Sequence, residues 1–249
     1  MKRQNNYIDI HSHILPGVDD GPGSMEQTIR MLQMAVNERI TTIIATPHYI
    51  TGQDNPSAEE LEELVRRVQQ EAYRINENFQ ILPGSEIYCP DAYYSDAVIE
   101  ALKSGNALTL AGSRYVLVEF SYNATFKSIC LGINNLIYHG YMPILAHVER
   151  YCNLHRDTYK IEELVKMGCY IQMNCRSVIG GFPNIDAYYN RKLIKNGMVH
   201  FIASDCHSDG HRAPVMQSIV SYLTKKCDND LLQEIFSENP TKIIKNTYI

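Results

Sequence analysis

Residues 7–24 read YIDIHSHILPGVDDGPGS, and the order of their parts decides the fold. Tyr7 to Ile10 form a short run of strand character. A His-x-His pair, His11 and His13, stands at its end, followed by a Gly/Pro-containing loop with two adjacent acids, Asp19 and Asp20. Ser24 and Gln27 then have capping-box spacing, which opens a helix over about 25–39 with Ile29, Leu32 and Val36 on its buried face. The stretch is one β/α unit whose polar chemistry sits where the strand stops.

Working outward, the unit repeats. TTIIAT (41–46) reads as a strand, and Ser57 with Glu60 caps a helix that turns Leu61, Leu64, Val65, Val68 and Ala72 inward. QILPGSEIY (80–88) is strand-like but irregular at Pro83 and Gly84, and 92–103 is helical. YVLVEF (115–120), PILAH (143–147), YIQMN (170–174) and VHFIAS (199–204) are strands. Helices fall at 126–139, at 159–167 ending on Gly168, at 186–196 ending on Gly197, and in two final stretches. No repeat, low-complexity run or Gly/Ser linker divides residues 1–249, so a single domain is expected. About seven strands, each followed by a helix, specify an α/β chain with a parallel sheet, closed as a barrel or doubly wound.

The ionisable residues choose between these. His11 and His13 follow the first strand, with Asp19 and Asp20 in the loop; His48 follows the second, Glu86 the third, Glu119 the fourth and His147 the fifth. The sixth offers only Asn174, and the seventh offers Asp205 and His207. A doubly wound sheet concentrates its site at one switch point, whereas a barrel opens every strand end on one face. Ligands from nearly every strand therefore favour a TIM-like barrel with its site at the C-terminal ends of the strands.

Taken singly, each residue has an ordinary structural explanation; their placement at successive strand ends does not. Five imidazoles and four carboxylates, with no thiolate needed, suit borderline divalent ions such as Mn, Fe or Zn. They are too many for one ion and suit two or three bridged by carboxylates. Three divalent ions against four carboxylates leave a net charge of about +2 towards a phosphate. Arg150, in HVER, and Arg212, in CHSDGHR, share loops with candidate ligands and could bind phosphate oxygens. His139 and His200 are expected to be structural, and His155 and His211 to lie in loops. Tyr49, Tyr88, Tyr122 and Tyr151 follow strand ends, where rim packing is favoured slightly over a phosphotyrosine pocket. Cys206 and Arg212 make a C-x5-R spacing like that of cysteine-dependent phosphatases, but the acids and imidazole between them suit a metal better than a thiolate.

A formal net charge of −5, with a pI near 6.0, argues against a broad nucleic-acid surface. The N-terminus has no apolar signal-peptide core, and no run of about 18 apolar residues suggests membrane insertion. Seven scattered Cys fit reduced thiols, so a cytoplasmic location is expected.

HSHILPGVDDGP, ATPHY, PGSEIY, VLVEF, ILAHVERY and ASDCHS, in this order, resemble the polymerase and histidinol phosphatase (PHP) superfamily. Within it they are most similar to the bacterial tyrosine-protein phosphatases of capsule and exopolysaccharide synthesis, from about Tyr7 to the last helix. The resemblance implies a distorted (β/α)7 barrel and a cluster of three divalent ions, often manganese. It implies that His11, His13, Glu86 and Asp205 hold one ion, and that Glu86, Glu119 and His147 hold a second. It implies that Asp20, His48 and His207 hold the third, since the second Asp of the DDG motif is the family's ligand. Arg150 and Arg212 match the family's phosphate-binding arginines. The implied reaction is hydrolysis of phosphotyrosine by a metal-bridging hydroxide, without a phosphoenzyme. The implied substrate is the phosphorylated Tyr-rich tail of a membrane-associated tyrosine kinase. The alternatives are a small-molecule phosphomonoesterase, such as a histidinol-phosphate phosphatase, and a non-catalytic metal-bound accessory module. The loops at 49–56, 121–125 and 176–186 would set substrate size.

Overall fold

The alternation expected from the sequence is present in the computed structural model, which describes residues 6–179 and 184–249; part of the expected 176–186 access loop, residues 180–183, lies outside the described residues. The strands are β1 (Tyr7–Ser12), β2 (Ile40–Ala45), β3 (His48–Ile50), β4 (Gln80–Pro83), β5 (Glu86–Cys89), β6 (Tyr115–Phe120), β7 (Met142–Leu145), β8 (Tyr170–Asn174) and β9 (Phe201–Ala203). The α-helices are α1 (Met25–Asn37), α2 (Ala58–Ile75), α3 (Ser95–Ser104), α4 (Phe126–Tyr138), α5 (Thr158–Lys166), α6 (Ile185–Lys195), α7 (Gln217–Leu223), α8 (Asn229–Gln233) and α9 (Asn239–Ile244).

Two of these strands continue earlier ones across a break. Thr46 and Pro47 separate β2 from β3, and Gly84 and Ser85 separate β4 from β5. At Gly84 an added Cβ would lie 3.0 Å from both Ile44 Cγ2 and Leu110 Cδ2, so only glycine fits without movement. Every strand pairing is parallel: β1-β2-β4 form one sheet and β3-β5-β6-β7-β8-β9 the other. Because β3 extends β2 and β5 extends β4, the two sheets run on from one another. Beyond β9 the chain returns to β1. Ser12 and Cys206 form a parallel bridge, His13 N donates to Cys206 O (2.9 Å), and Asp205 N donates to His11 O (2.9 Å). The buried carboxylate of Asp9 ties the same seam by accepting from Ser204 N (3.0 Å) and the Ser204 hydroxyl.

The larger core cluster lies between strands and helices, and α2 shows how the sequence builds it. Ser57 and Glu60 form the expected capping box, with Glu60 N donating to Ser57 Oγ (3.2 Å) and Ser57 N to Glu60 Oε2 (2.8 Å). Leu61, Val65, Val68 and Ala72 are buried, with Leu64 at the edge. The helix α1 corrects the expected face. Its buried stripe is Thr28, Met31, Leu32 and Ala35, while Ile29 and Val36 are only partly buried. On that side Thr28 Oγ1 donates to Ile14 O (3.0 Å). Ser24 Oγ accepts from Gln27 N (3.4 Å), but the Gln27 side chain answers Gly23 N rather than Ser24 N, so the expected box is half formed.

A second, smaller cluster takes one face of the strands: Ile10, Ile44, Tyr115, Leu117, Met142, Ile144, Phe201 and Ala203, with Leu82 and Tyr170 against it. This inner column leads to the site. Among the described residues, no helix is long and apolar enough to cross a membrane.

His200 fills the structural role expected of it. Its Nδ1 accepts from Ile171 N (3.1 Å), and burial pushes its pKa down to about 4. A histidine kept neutral in the fold costs stability as the unfolded chain takes up a proton. Its contribution is therefore intact above about pH 6.5 and is lost as pH falls through 6.5 towards 4. In chelator-treated protein, His200→Asn should flatten this acid limb by on the order of 2–3 kcal/mol, read from urea melts between pH 7 and 4. An unaltered limb would contradict the assignment.

Candidate metal centre

Period-two alternation carries the inner face of the strands from apolar residues to chemistry. Ile44 is followed on its face by Thr46 and His48, Leu82 by Gly84 and Glu86, and Leu117 by Glu119. Tyr170 is followed by Gln172 and Asn174, and Ala203 by Asp205. Two strands reach the site by breaking the period. The register of β1 shifts between Asp9 and Ser12, and His147 leaves β7 in the left-handed region at φ 32°. Asp205 is left-handed too, at φ 49°, so two candidate ligands sit on strained backbone.

All nine sequence-selected residues come together. Glu86 stands in the middle: its Oε2 lies 3.1 Å from His11 Nε2, 3.2 Å from His13 Nε2 and 3.3 Å from His48 Nδ1, and its Oε1 lies 2.9 Å from His147 Nε2. Glu119 Oε1 lies 3.5 Å from His147 Nε2. Asp205 Oδ1 lies 3.5 Å from both His11 Nε2 and His207 Nδ1. Asp20 Oδ1 lies 3.1 Å from His207 Nε2 and 3.6 Å from His48 Nε2. Three sets have ligand atoms mutually within 4.8 Å: His13/Asp20/His48/His207, His11/His13/Asp205 and His48/Glu86/Glu119.

The donor set fits cations. The Nε2 atoms of His11 and His13 face each other at 3.3 Å, a separation that requires a proton or a metal between or beside them. Burial opposes charging of His13, but its bonds to Asp19 and Glu86 raise its pKa to about 10. Burial also opposes the charged forms of Glu86 and Asp205, and the surrounding imidazoles outweigh it, holding Glu86 well below the usual range and Asp205 at about 2. Burial and the neighbouring His13 push His207 down to about 4. Burial opposes charging of His11 as well, but Glu86 and Asp205 raise its pKa, so protons collect on His11 and His13 in the ion-free cluster, where an arriving cation would displace them.

Short loops deliver the remaining groups. Arg150 lies one tight turn after His147, with Arg150 N donating to His147 O (2.9 Å), and its Nη2 meets Asp205 Oδ2 at 2.8 Å. His207 N donates to Arg212 O (2.9 Å), folding that loop back so that Arg212 Nη2 meets Asp205 Oδ1 at 3.0 Å. Both arginines, expected near the site from loop position, thus share one carboxylate and remain about one-third exposed (35% and 34%). The C-x5-R spacing carries no nucleophile. Cys206 is buried against Ser12 Oγ (3.1 Å), and burial pushes its thiol up to about 12. His139 caps α4 through its ring and Asn135 O (3.0 Å), His155 pairs with Asp186 (3.2 Å), and His211 is exposed.

The tyrosines divide. Tyr151 is rim packing, fully buried with its hydroxyl accepting from Phe120 N (3.0 Å). Tyr122 is 41% exposed, lies edge-on to His147 at 5.8 Å and accepts from Arg150 Nη1 (3.2 Å).

Behind the candidate ligands, sequence reasoning named Asp19 and Asn174 without a role and missed Gln172 and Glu149. Asp19 Oδ2 binds His13 Nδ1 (2.6 Å) and accepts from His48 N (3.0 Å), while Asp19 Oδ1 accepts from Gly21 N (2.9 Å). A Cβ on Gly21 would lie 2.6 Å from His13 O and 2.9 Å from Asp19 Oδ1, which explains a glycine after the two acids. Glu149 Oε1 accepts from Asn174 N (3.1 Å) and the Ser177 hydroxyl (2.6 Å), pinning the Arg150 loop. The available signal was polarity in apolar surroundings, such as Gln172 and Asn174 two apart in YIQMN.

Parallel strands that end in a buried imidazole–carboxylate cluster, with two arginines on it, define an α/β protein with a candidate metal centre. The chain belongs to the family described as "Capsular polysaccharide synthesis, CpsB/CapC", which matches residues 7–245. It is 34% identical over 247 residues to the tyrosine-protein phosphatase CpsB of Streptococcus pneumoniae, covering 97% of this chain and 100% of that protein. It is 31% identical over 246 residues to the tyrosine-protein phosphatase YwqE of Bacillus subtilis, covering 97% and 93%. Among solved structures it resembles one described as YwqE from Bacillus subtilis and CpsB from Streptococcus pneumoniae, "unique metal-dependent tyrosine phosphatases". That match has a TM-score of 0.85 at 27% identity and covers 97% of this chain and 96% of the other.

Proposed function

We propose that the protein is a metal-dependent protein-tyrosine phosphatase acting in capsular or exopolysaccharide synthesis. The observation that carries this is the meeting of His11, His13, Asp20, His48, Glu86, Glu119, His147, Asp205 and His207 beneath two arginines anchored on one of them. His11, His13, Glu86 and Asp205 would hold one divalent ion, Glu86, Glu119 and His147 a second, and Asp20, His48 and His207 a third, with manganese the preferred metal. The ions would supply Lewis acidity and the positive charge that a phosphate needs. Arg150 and Arg212 bind the phosphate oxygens, and Asp205 holds both guanidinium groups in position before substrate arrives. Tyr122, exposed beside Arg150 and His147, offers an aromatic edge to the ring of a phosphotyrosine.

In this reading residues 1–249 are one domain whose seven successive strands make a distorted (β/α)7 barrel, β2/β3 and β4/β5 each counting as one kinked strand. The Ser12–Cys206 bridge and the inner apolar column support closure. The substrate is a phosphotyrosine-bearing protein, the tail of a membrane-associated tyrosine kinase, met in the cytoplasm. Seven unbridged thiols suit that compartment.

The test compares turnover of a phosphotyrosyl peptide and of histidinol phosphate by manganese-loaded protein, with the metal content measured on the same sample. We expect kcat/KM to favour the peptide by at least about tenfold. A preference for histidinol phosphate would overturn the substrate class.

A further inference from the structure

Counting β2/β3 and β4/β5 as one strand each, β8 alone of the described strands supplies no ionisable candidate, yet its two inward side chains, Gln172 and Asn174, are buried amides. Gln172 Oε1 lies 2.6 Å from His147 N and 3.2 Å from His11 Nδ1. Gln172 Nε2 lies 2.9 Å from Asn174 Oδ1, and Asn174 Nδ2 lies 2.7 Å from Asp205 Oδ2.

The direction of this chain follows from one group that has no choice. A backbone N–H can only donate, so the amide atom that meets His147 N is the oxygen. That oxygen cannot donate, so His11 Nδ1 must carry a hydrogen, which leaves Nε2, facing Glu86 and Asp205, as the ring atom that an ion would take. The Gln172 nitrogen can only donate, so Asn174 turns its oxygen to Gln172 and its NH2 to Asp205. Asp205 Oδ2 is thereby occupied, together with Arg150 Nη2 at 2.8 Å, while Oδ1 faces the imidazoles and carries Arg212 Nη2 at 3.0 Å.

We propose that Gln172 and Asn174 are positioning residues. They form a directed relay that starts at the His147 N–H, fixes the His11 tautomer and sets the orientation of the Asp205 carboxylate towards the metal site. The inference rests on the metal reading of that site. A purely structural amide would satisfy the His147 N–H and do nothing for ion binding.

The experiment is calorimetric titration of manganese(II) into chelator-treated wild-type, Gln172→Met and Gln172→Glu proteins at pH 8. We expect Gln172→Met to weaken the tightest binding step by about 10–100-fold. Gln172→Glu retains both accepted bonds and adds a negative charge, which by itself would tighten cation binding. The relay instead demands weakening of about tenfold or more, because the bond that orients Asn174 is lost. If Gln172→Met fails to fold, the sign of the Gln172→Glu change decides. Nitrogen-15 NMR of the zinc-loaded wild type should show His11 protonated at Nδ1. Unchanged or tighter binding in the variants, or His11 protonated at Nε2, would overturn the relay while leaving the metal reading intact. A wild-type protein that binds no manganese would overturn both.

Discussion

Stripping divalent ions from the purified protein with a chelator is expected to lower phosphotyrosine turnover by at least about 10³-fold, with recovery on adding manganese. The same assay on Cys206→Ser should stay within about twofold of wild type. The two outcomes belong together because the C-x5-R segment offers a thiolate mechanism as the competitor. Cys206 is a poor nucleophile here: it is fully buried beside Ser12, and its thiol is pushed up to about 12 by desolvation, so little thiolate exists near neutrality. Reloading should also depend on pH in a defined direction. In the ion-free cluster His13 holds its proton up to about pH 10, and an ion must displace it, so apparent affinity rises as pH rises below that value. Turnover that survived chelation and disappeared in Cys206→Ser would remove the metal mechanism.

Replacing Glu86 with Gln is expected to cost a similar factor, about 10³ in kcat/KM or ~4 kcal/mol of transition-state stabilisation. No other carboxylate in the cluster lies so close to four imidazoles: His11, His13 and His48 on one oxygen and His147 on the other. The amide keeps the shape but removes the charge, and it presents an NH2 where an acceptor is needed. In the ion-free protein the loss also leaves His13 with less compensation, so its proton affinity should drop. Proton release measured on manganese binding should therefore shrink along with activity. A Glu86→Gln enzyme with kcat/KM within tenfold of wild type would place the ions elsewhere.

The candidate ligands were legible because strands and chemistry share a periodicity. Glu119 follows Leu117, and Asp205 follows Ala203, on the same face of a strand whose limits the apolar run reveals. His11 and His147 were legible for another reason, their adjacency to a strand end, although the backbone reaches them by a register shift and a left-handed turn. The face of α1 was misjudged by one position because the helix carries two overlapping apolar stripes, Ile29/Leu32/Val36 and Met31/Leu32/Ala35, and periodicity alone does not choose the second, which is the one buried.

The order of β/α units and the set of side chains that arrive at one rim can be read along the chain, since both are local properties of strand period and strand end. What stands behind them depends on long-range packing. Asp9 meets Ser204 across 195 positions, Gln172 meets His11 across 161, and one carboxylate, Asp205, gathers Arg150, Arg212 and Asn174. Those contacts have no spacing to read. They exist because buried donors and acceptors must find partners, and the partner is whichever strand the parallel sheet places alongside.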